Sequence, residues 1–475
     1  MRTSGVIMTK KTIRKGFQDR IKAMIHSLRD GIVSGQLSVG TYLPSEDDLE
    51  KRFQLGNNSV RRGLEALVEE GLIEKIPRVG NKVKMLPEQM KLTVRFGYCS
   101  ELTESTIIDS IVERFHSQYP QIAIQLVALP LYGYGGALMQ YMEAGMLDVV
   151  MMSNTNYQDF VEAECTELFE PLDAADVCHP FLTKPFTVNG RLLVQPFIYS
   201  PVILCYNKAH FREKLLPEPD GSWTWDDLFE AGKRLAVQER RFGFYFYLPS
   251  RNRWPVFMLQ SGAAVKPDGS GRYRLRESAV LEGLELCRKM LADADVFPRM
   301  LSESDADAEA LFKEEKVSVI MTTYYFLNEL KRSSLLFEVA PLPRLNNSKT
   351  PLVITGLAVN SRSAHKEAAK RLLQFLASYE IQLMLRKSTY YLPAHRLVAE
   401  TQEEELDYRP ARFMMYREIA STYSMINEIG LSNRQLKLIQ REVMLFLSNV
   451  YDQERFCRRL EQLLNEPVTQ AGNAT

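Results

Sequence analysis

Between residues 40 and 85 the apolar positions recur first at helical and then at strand spacing, and a cap or breaker stands at each change of period. In GTYLPSEDDLEKRFQLGNNSVRRGLEALVEEGLIEKIPRVGNKVKM, Ser45 predicts a helix start, with Asp48 three residues on as the acidic end of a capping box. Leu49 and Phe53 then share one helical face. Gly56 and Asn57 interrupt the pattern and open a second helix, whose Val60, Leu64, Leu67 and Val68 are expected to face inward while Arg61 and Arg62 face out. Past Gly71 the period becomes two. Ile73 and Lys75, then Lys82 and Lys84, flank a turn from Pro77 to Asn81 and predict a basic two-stranded wing. Helix, turn, helix and wing in this order predict a winged helix-turn-helix, an arrangement that addresses DNA.

From Leu92 strand and helix patterns alternate, which predicts an α/β domain. LTVRFGY reads as a strand, TIIDSIVERFHSQYP as a helix stopped by Pro120, IAIQLVAL as a strand, GGALMQYMEAG as a helix and LDVVMMSN as a buried strand. The alternation runs to about residue 360, and from Lys366 the tail is nearly all helical, with Leu372, Leu373, Phe375 and Leu376 on inward faces. The polar stretch MLPEQMK separates the two patterns. The expected organisation is a winged-helix domain over residues 10–86, a linker over 87–91 and a second module over 92–470.

GQLSVGTYLPSEDDL, SVRRGLEALVEEGLIEK and the wing RVGNKV resemble the GntR family of bacterial transcription regulators, over roughly residues 12 to 86. Arg61 matches that family's recognition-helix arginine. The resemblance implies a homodimer on a two-fold-related double-stranded operator, with Ser45, Asn57, Asn58, Ser59, Arg61, Arg62, Arg78 and Lys82 as DNA-contacting residues. Three departures bear on base preference: Asp47 follows PSE where a basic residue is usual, Gly56 and Asn57 replace Ser-Arg, and Arg78 stands where a wing glycine is common.

The second module resembles family 1 extracellular solute-binding proteins, the receptors of ABC importers for sugars and oligosaccharides. The carrying segments are LDVVMMSN, NGRLLVQPFIYSPVILCYNKAHF, WTWDDLFEAGKRL, ALFKEEKVSVIM, VAPLPR, TGLAVNSRSAHKEAAKRLLQFLAS and YYLPAHRLV, which occur in the family's order. Glu315 occupies a position where that family has glycine. The resemblance implies two α/β lobes of the type II periplasmic-binding-protein kind, joined by strand crossings, with a helical C-terminal tail. A small molecule, expected to be a sugar or oligosaccharide, would sit in the cleft, and lobe closure would reposition the tethered winged helix.

Candidate ligand-binding residues follow strand ends, where α/β sheets bind their ligands. Ser100 and Glu101 follow the first strand of the module, Ser153, Asn154 and Tyr157 follow LDVVMMSN, and Tyr199 lies near the hinge. Trp254 follows the loop PSRNR, Tyr324 and Tyr325 follow VSVIMTT, and Gly356 lies where the chain recrosses. Trp254 and the tyrosines offer flat faces for a sugar ring, although an aromatic at an element's end can equally pack into a lobe core. Arg251 and Arg253 would suit a carboxylate instead if they turned inward. Trp223 and Trp225 read as structural residues at a helix start.

Composition narrows the function classes. The net charge is zero, yet residues 1–86 hold 16 Lys and Arg against 10 Asp and Glu, so the basic surplus sits on the end expected to meet DNA. Six scattered cysteines without a Cys-x-x-Cys pair predict reduced core residues, neither a zinc site nor a disulfide framework. No stretch has the length of a signal peptide or a membrane span, so a cytoplasmic protein without a membrane partner is expected. The six histidines form no metal-spaced pair, and no Gly-x-Ser-x-Gly, Walker or dinucleotide motif occurs; no enzyme, cofactor or metal is expected. Two alternatives stay open. GntR heads are also fused to aminotransferase-like domains, which need a lysine for pyridoxal phosphate, though no Asn-Pro-x-Gly landmark is present. The chain could also be a cytosolic solute-binding protein whose winged helix does not bind DNA.

Overall fold

The computed structural model describes residues 10–33, 35–84, 92–99, 105–130, 133–173, 177–276, 278–298, 302–331, 333–401 and 410–466. The expected linker 87–91 lies outside them.

The N-terminal domain contains α1 (Lys10–Val33), α2 (Glu46–Phe53), α3 (Asn57–Glu69) and the antiparallel wing strands β1 (Ile73–Ile76) and β2 (Gly80–Val83). Local chemistry sets the boundaries. The Ser45 hydroxyl accepts the Asp48 N–H at 3.2 Å, and Gln54 ends α2 in the left-handed conformation. Leu49, Val60, Leu64 and Leu67 then meet Met24, Leu28 and Ile32 of α1 in one small core. Val68 departs from its expected inward orientation and is 38% exposed. It lies about 100° around the helix from Leu67, and α1 and α2 cover only the stripe of Val60, Leu64 and Leu67. No cap or turn signal marks α1; its Ile21, Met24, Ile25, Leu28 and Ile32 carry the helical spacing instead.

The second module is two-lobed. In lobe 1, β3 (Leu92–Cys99) pairs in parallel with β4 (Ile122–Leu129) and β5 (Val149–Ser153), and α4 (Ser105–Gln118), α5 (Tyr134–Glu143) and α6 (Asn154–Glu162) follow the strands. Along β5, Val149 and Met151 enter one core and Val150 and Met152 the other, so LDVVMMSN is apolar throughout because both faces are covered. Two long strands link the lobes: β6 (Gln195–Asn207) and, later in the chain, Thr350–Val359.

Lobe 2 contains α7 (Trp225–Leu235), β7 (Phe242–Tyr245), α8 (Pro255–Gln260), α9 (Val280–Ala292), α10 (Asp305–Lys313), β8 (Val317–Thr323), α11 (Tyr324–Leu330) and β9 (Phe337–Ala340). With Thr350–Val359 as β10, the strands form one sheet in the order β4-β3-β5-β10-β6-β8-β7, with β9 also paired to β6. After β10, α12 (Lys366–Leu376) packs on lobe 1, where Leu372, Leu373, Phe375 and Leu376 are buried, while α13 (Asn433–Leu447) and α14 (Gln453–Asn465) pack together and α13 also packs on α9. Trp225 follows a Thr224–Asp227 capping box, and its indole N–H donates to Gln260 at 2.7 Å, the structural role expected of it. Cys99, Cys178, Cys205, Cys287 and Cys457 are buried and Cys165 is partly buried, and none of the six is in a disulfide.

One close approach sets the packing of lobe 2. A Cβ on Gly243 of β7 would lie 2.2 Å from the Gly232 carbonyl oxygen of α7, so backbone, not a flexible side chain, fills that space. Gly243→Ala should destabilise the protein by about 1–3 kcal/mol, because overpacking forces the helix off the sheet. Urea unfolding of both proteins checks this; equal midpoints would show that α7 shifts freely.

Candidate functional site

The expected DNA face lies on the first turns of α3 and on the wing. Asn58, Arg61 and Arg62 are exposed, Asn57 and Ser59 are half-buried, and Val60 and Leu64 anchor the opposite face. Arg61 does not hang free: its Nε donates to Glu46 of α2 at 2.7 Å, and Asn57 Nδ2 lies 3.5 Å from the same oxygen. Ser45 is exposed, but its hydroxyl is engaged in the cap of α2 and donates to Asp48 at 2.6 Å. Glu46, Asp47 and Asp48 therefore form an acidic first turn next to the cations of α3, a consequence of the Asp47 departure. On the wing, Arg78 holds φ +65°, the left-handed region that glycine adopts without cost, and its side chain is exposed. Lys82 is half-buried and its backbone bridges to Tyr42.

In the second module the chain crosses between lobes along β6 and β10. Tyr199 on β6 opposes Ile354 on β10, and Val202 on β6 opposes Thr323 of β8, so pairing passes from lobe 1 to lobe 2 between these positions. A Cβ on Gly356 would lie 2.6 Å from Val194 Cγ1 and 2.9 Å from the Gln195 carbonyl oxygen; the glycine permits the close crossing. Asn154 pins β5 to this crossing, accepting the Ile354 N–H at 3.0 Å and donating to the Leu352 carbonyl at 3.2 Å. Ser153 is the N-cap of α6, with Asn156 completing a capping box.

The structure divides the expected aromatic residues. Tyr199, Tyr324 and Tyr325 gather at the crossing. Tyr199 meets Tyr416 and Tyr423 with ring centroids 6.3 and 6.4 Å apart, and Tyr324 also meets Tyr416 at 6.0 Å. The Tyr324 N–H donates to Ser200 Oγ at 2.7 Å, its hydroxyl donates to the Phe413 carbonyl at 3.0 Å, and the Tyr325 hydroxyl lies 3.2 Å from Thr355 Oγ1. Burial holds the phenols of Tyr199, Tyr324 and Tyr423 well above the usual tyrosine range, so they act as neutral hydrogen-bonding groups. Tyr157 and Trp254, each 2% exposed, lie apart from this group, but Tyr199 and Tyr324 are as deeply buried, 3% and 0% exposed, so the two sets differ in neighbours and not in burial. Phe169 and Phe186 flank the Tyr157 ring at 5.5 and 5.3 Å, and its buried hydroxyl has no hydrogen-bond partner. The ring faces of Tyr157 and Trp254 thus contact protein here. Ser100 and Glu101 lie outside the described residues.

Contacts between the lobes involve residues that the strand-end rule does not select. Asp159 on α6 accepts from Asn433 Nδ2 at 2.8 Å and pairs with Arg251 of lobe 2 at 3.3 Å. The N–H groups of Asn433 and Arg434 donate to Glu162 at 2.8 and 3.0 Å, so the N-terminus of α13 meets α6 directly. Arg253 is 3% exposed, with its Nε donating to the Met321 carbonyl at 3.0 Å. Both arginines of PSRNR are thus engaged by protein. Tyr416 and Tyr423 lie in a stretch that reads only as helical tail; the aromatic cluster Phe413, Tyr416 and Tyr423 is the signal that points to them. Among the described residues no group of three His, Cys, Asp or Glu is placed to hold a metal, and no helix is long and apolar enough to cross a membrane.

Comparison with known proteins agrees with this architecture. A protein of Brucella abortus (strain 2308) named as a binding protein is 22% identical over 324 residues, 63% of this chain and 74% of the relative. An ABC transporter extracellular-binding protein of Pyrococcus horikoshii is 22% identical over 302 residues, 59% of this chain and 66% of the relative. Among solved structures, an ABC substrate-binding protein of Listeria monocytogenes in complex with cycloalternan superposes with TM-score 0.68 at 17% identity, covering 79% of this chain and 98% of that one. The maltose-bound MalE3 protein of T. maritima gives TM-score 0.68 at 20% identity, covering 78% and 98%. The GacH receptor of Streptomyces glaucescens, solved unliganded and with acarbose, gives 0.68 at 16%, covering 80% and 100%. These likenesses establish the fold, which excludes the aminotransferase-like alternative for the second module. The profile of the bacterial regulatory proteins of the gntR family matches residues 20–83, and that of the bacterial extracellular solute-binding proteins matches residues 110–410. With more than half its length in that second match, the chain belongs to the bacterial extracellular solute-binding protein family and carries a GntR-family DNA-binding domain at its N-terminus.

Proposed function

We propose that this protein is a cytoplasmic transcription regulator that binds a carbohydrate in its two-lobed module and couples lobe closure to operator binding. The observation that carries the reading is the union, in one chain, of an exposed recognition helix with the two-lobed fold. The solved relatives were captured with cycloalternan, maltose and acarbose, which supports a sugar or oligosaccharide as ligand. A neutral ligand fits the burial of Arg253 within lobe 2, where its Nε donates to the Met321 carbonyl, and the use of one Arg251 amino group by Asp159. Asn154, Tyr199, Tyr325 and Gly356 at the crossing, with Ser153 beside them, are the proposed ligand-side residues; Tyr324 is proposed to position them through its bonds to Ser200 and Phe413. Ligand affects DNA binding only through its differential affinity for open and closed lobes.

On the DNA side, a homodimer would place two copies of α3 in successive major grooves, with Asn57, Asn58, Ser59, Arg61 and Arg62 reaching bases or phosphates and Arg78 and Lys82 reaching the backbone from the wing. Glu46 holds Arg61 through its Nε alone, which leaves the terminal amino groups of the guanidinium for the operator. Arg61→Ala should weaken binding to the protein's own upstream region by about 1–3 kcal/mol if the arginine reads a base. A gel shift at two salt concentrations measures this. Unchanged affinity removes Arg61 from the interface, and no shift by the wild type at low salt favours the storage or scavenging alternative.

For the ligand, a thermal-shift screen across mono- and oligosaccharides should find a compound that stabilises by about 2.7 kcal/mol at 100 times its dissociation constant. A hit confined to phosphorylated or acidic compounds would overturn the assignment of a neutral sugar.

A further inference from the structure

The junction between the winged helix and lobe 1 has a structure of its own. Asp30, in the last turns of α1, is 2% exposed. Its Oδ2 accepts the N–H of Glu367, and that of Ala368 at 3.1 Å, at the start of α12. The helix's own N-cap residue, His365, makes no side-chain capping bond. A lobe helix is thus capped by a carboxylate 337 residues earlier, from the other domain, in the position where an acidic group also meets the positive end of the helix dipole.

The same helix belongs to two cores. Met24, Leu28 and Ile32 pack in the winged-helix core, while Val33 enters the lobe 1 core with Leu92, Phe115 and Leu372. Next to Asp30, Arg29 forks onto Glu70, the residue that ends the recognition helix, with Nε to Oε2 at 2.8 Å. Two adjacent residues of α1 therefore grip α12 on one side and α3 on the other.

We propose that Asp30 is an interdomain capping clamp that fixes the winged helix to lobe 1 as one rigid body, so that ligand-driven closure moves lobe 2 against a head that does not swing. The docking itself does not depend on the proposed function; the movement of lobe 2 against the head rests on it. The charged and titratable groups around the clamp are His26 and Arg29 on α1, Glu70 at the end of α3, and His365, Glu367 and the Arg95–Asp148 pair in lobe 1. His365 Nδ1 lies 3.9 Å from Asp30 Oδ1, the oxygen without a hydrogen-bond partner.

Burial pushes the Asp30 carboxyl up to about 7, against the pull of the two backbone donors, and the carboxylates of Glu367 and Asp148 add to the rise. An undocked aspartate titrates near 3.9, so the docked state holds an extra proton between the two values. Its contribution to docking is fully present at low pH and is lost as pH rises towards 7, by up to about tenfold in the docking constant per unit.

Hydrogen exchange and calorimetry on the full-length protein test the clamp with no ligand added. In Asp30→Ala, peptides covering residues 366–372 should exchange about tenfold faster, within the range expected for a lost cap. The winged helix should then melt separately from lobe 1, where the wild type melts them together. Asp30→Asn keeps one oxygen for both amides and should retain protection within about threefold while losing the part of the pH dependence that Asp30 supplies, leaving only what His26 and His365 contribute. If Asp30→Ala does not fold, Asp30→Asn with intact protection and a reduced pH dependence still supports the clamp. Unchanged exchange at residues 366–372 in Asp30→Ala, or separate melting of the two domains in the wild type, overturns it.

Discussion

The structure of the second module depends on one strand. All thirteen residues of β6 are buried, and their hydrogen bonds go to β10 on the lobe 1 side and to β8 and β9 on the lobe 2 side. A strand paired on both edges and covered on both faces cannot be left half-made without stranding its backbone groups, so the two lobes share a sheet through it. Pairing changes hands near Tyr199 to Val202, which is where Tyr324, Tyr416 and Tyr423 collect.

The chemistry of that crossing follows from its burial. Phenols whose ionisation is suppressed by burial stay neutral, and the Tyr324 hydroxyl is engaged by the Phe413 carbonyl. Charge is placed further out, where Arg251, Asp159, Asn433 and Glu162 link the lobes through α6. The exposed pair Arg251–Asp159 is individually weak.

The junction at Asp30 has the opposite character. A buried carboxylate on two helix amides, next to a methyl-lined contact through Val33, ties the recognition helix to the lobe that carries β3, β4 and β5. This contact stands beside the covalent connection of the chain, and under the proposed clamp lobe 2 would move relative to a fixed head.

Much of this was legible in local signals. Ser45 and Asp48 start α2, Thr224 and Asp227 start α7, and the doubly apolar run of LDVVMMSN is β5, because caps and periods act over a few residues. The ordered motifs carried the two families, and with them the lobes and the crossing. What sequence left open were side-chain surroundings. Tyr157, Trp254 and Tyr199 carry the same strand-end signal and all three are buried, but among different neighbours, because Phe169 and Phe186 arrive against Tyr157 and Tyr416 and Tyr423 against Tyr199 from elsewhere in the chain. Val68 follows a helical stripe that α1 is not broad enough to cover. Asp30 looks like any helical aspartate until α12, formed more than three hundred residues later, presents its unpaired amides to it. Periodicity and capping determine which elements form, since their energies are local; which face each element buries, and which charge meets which helix end, is decided only when distant segments compete for the same space.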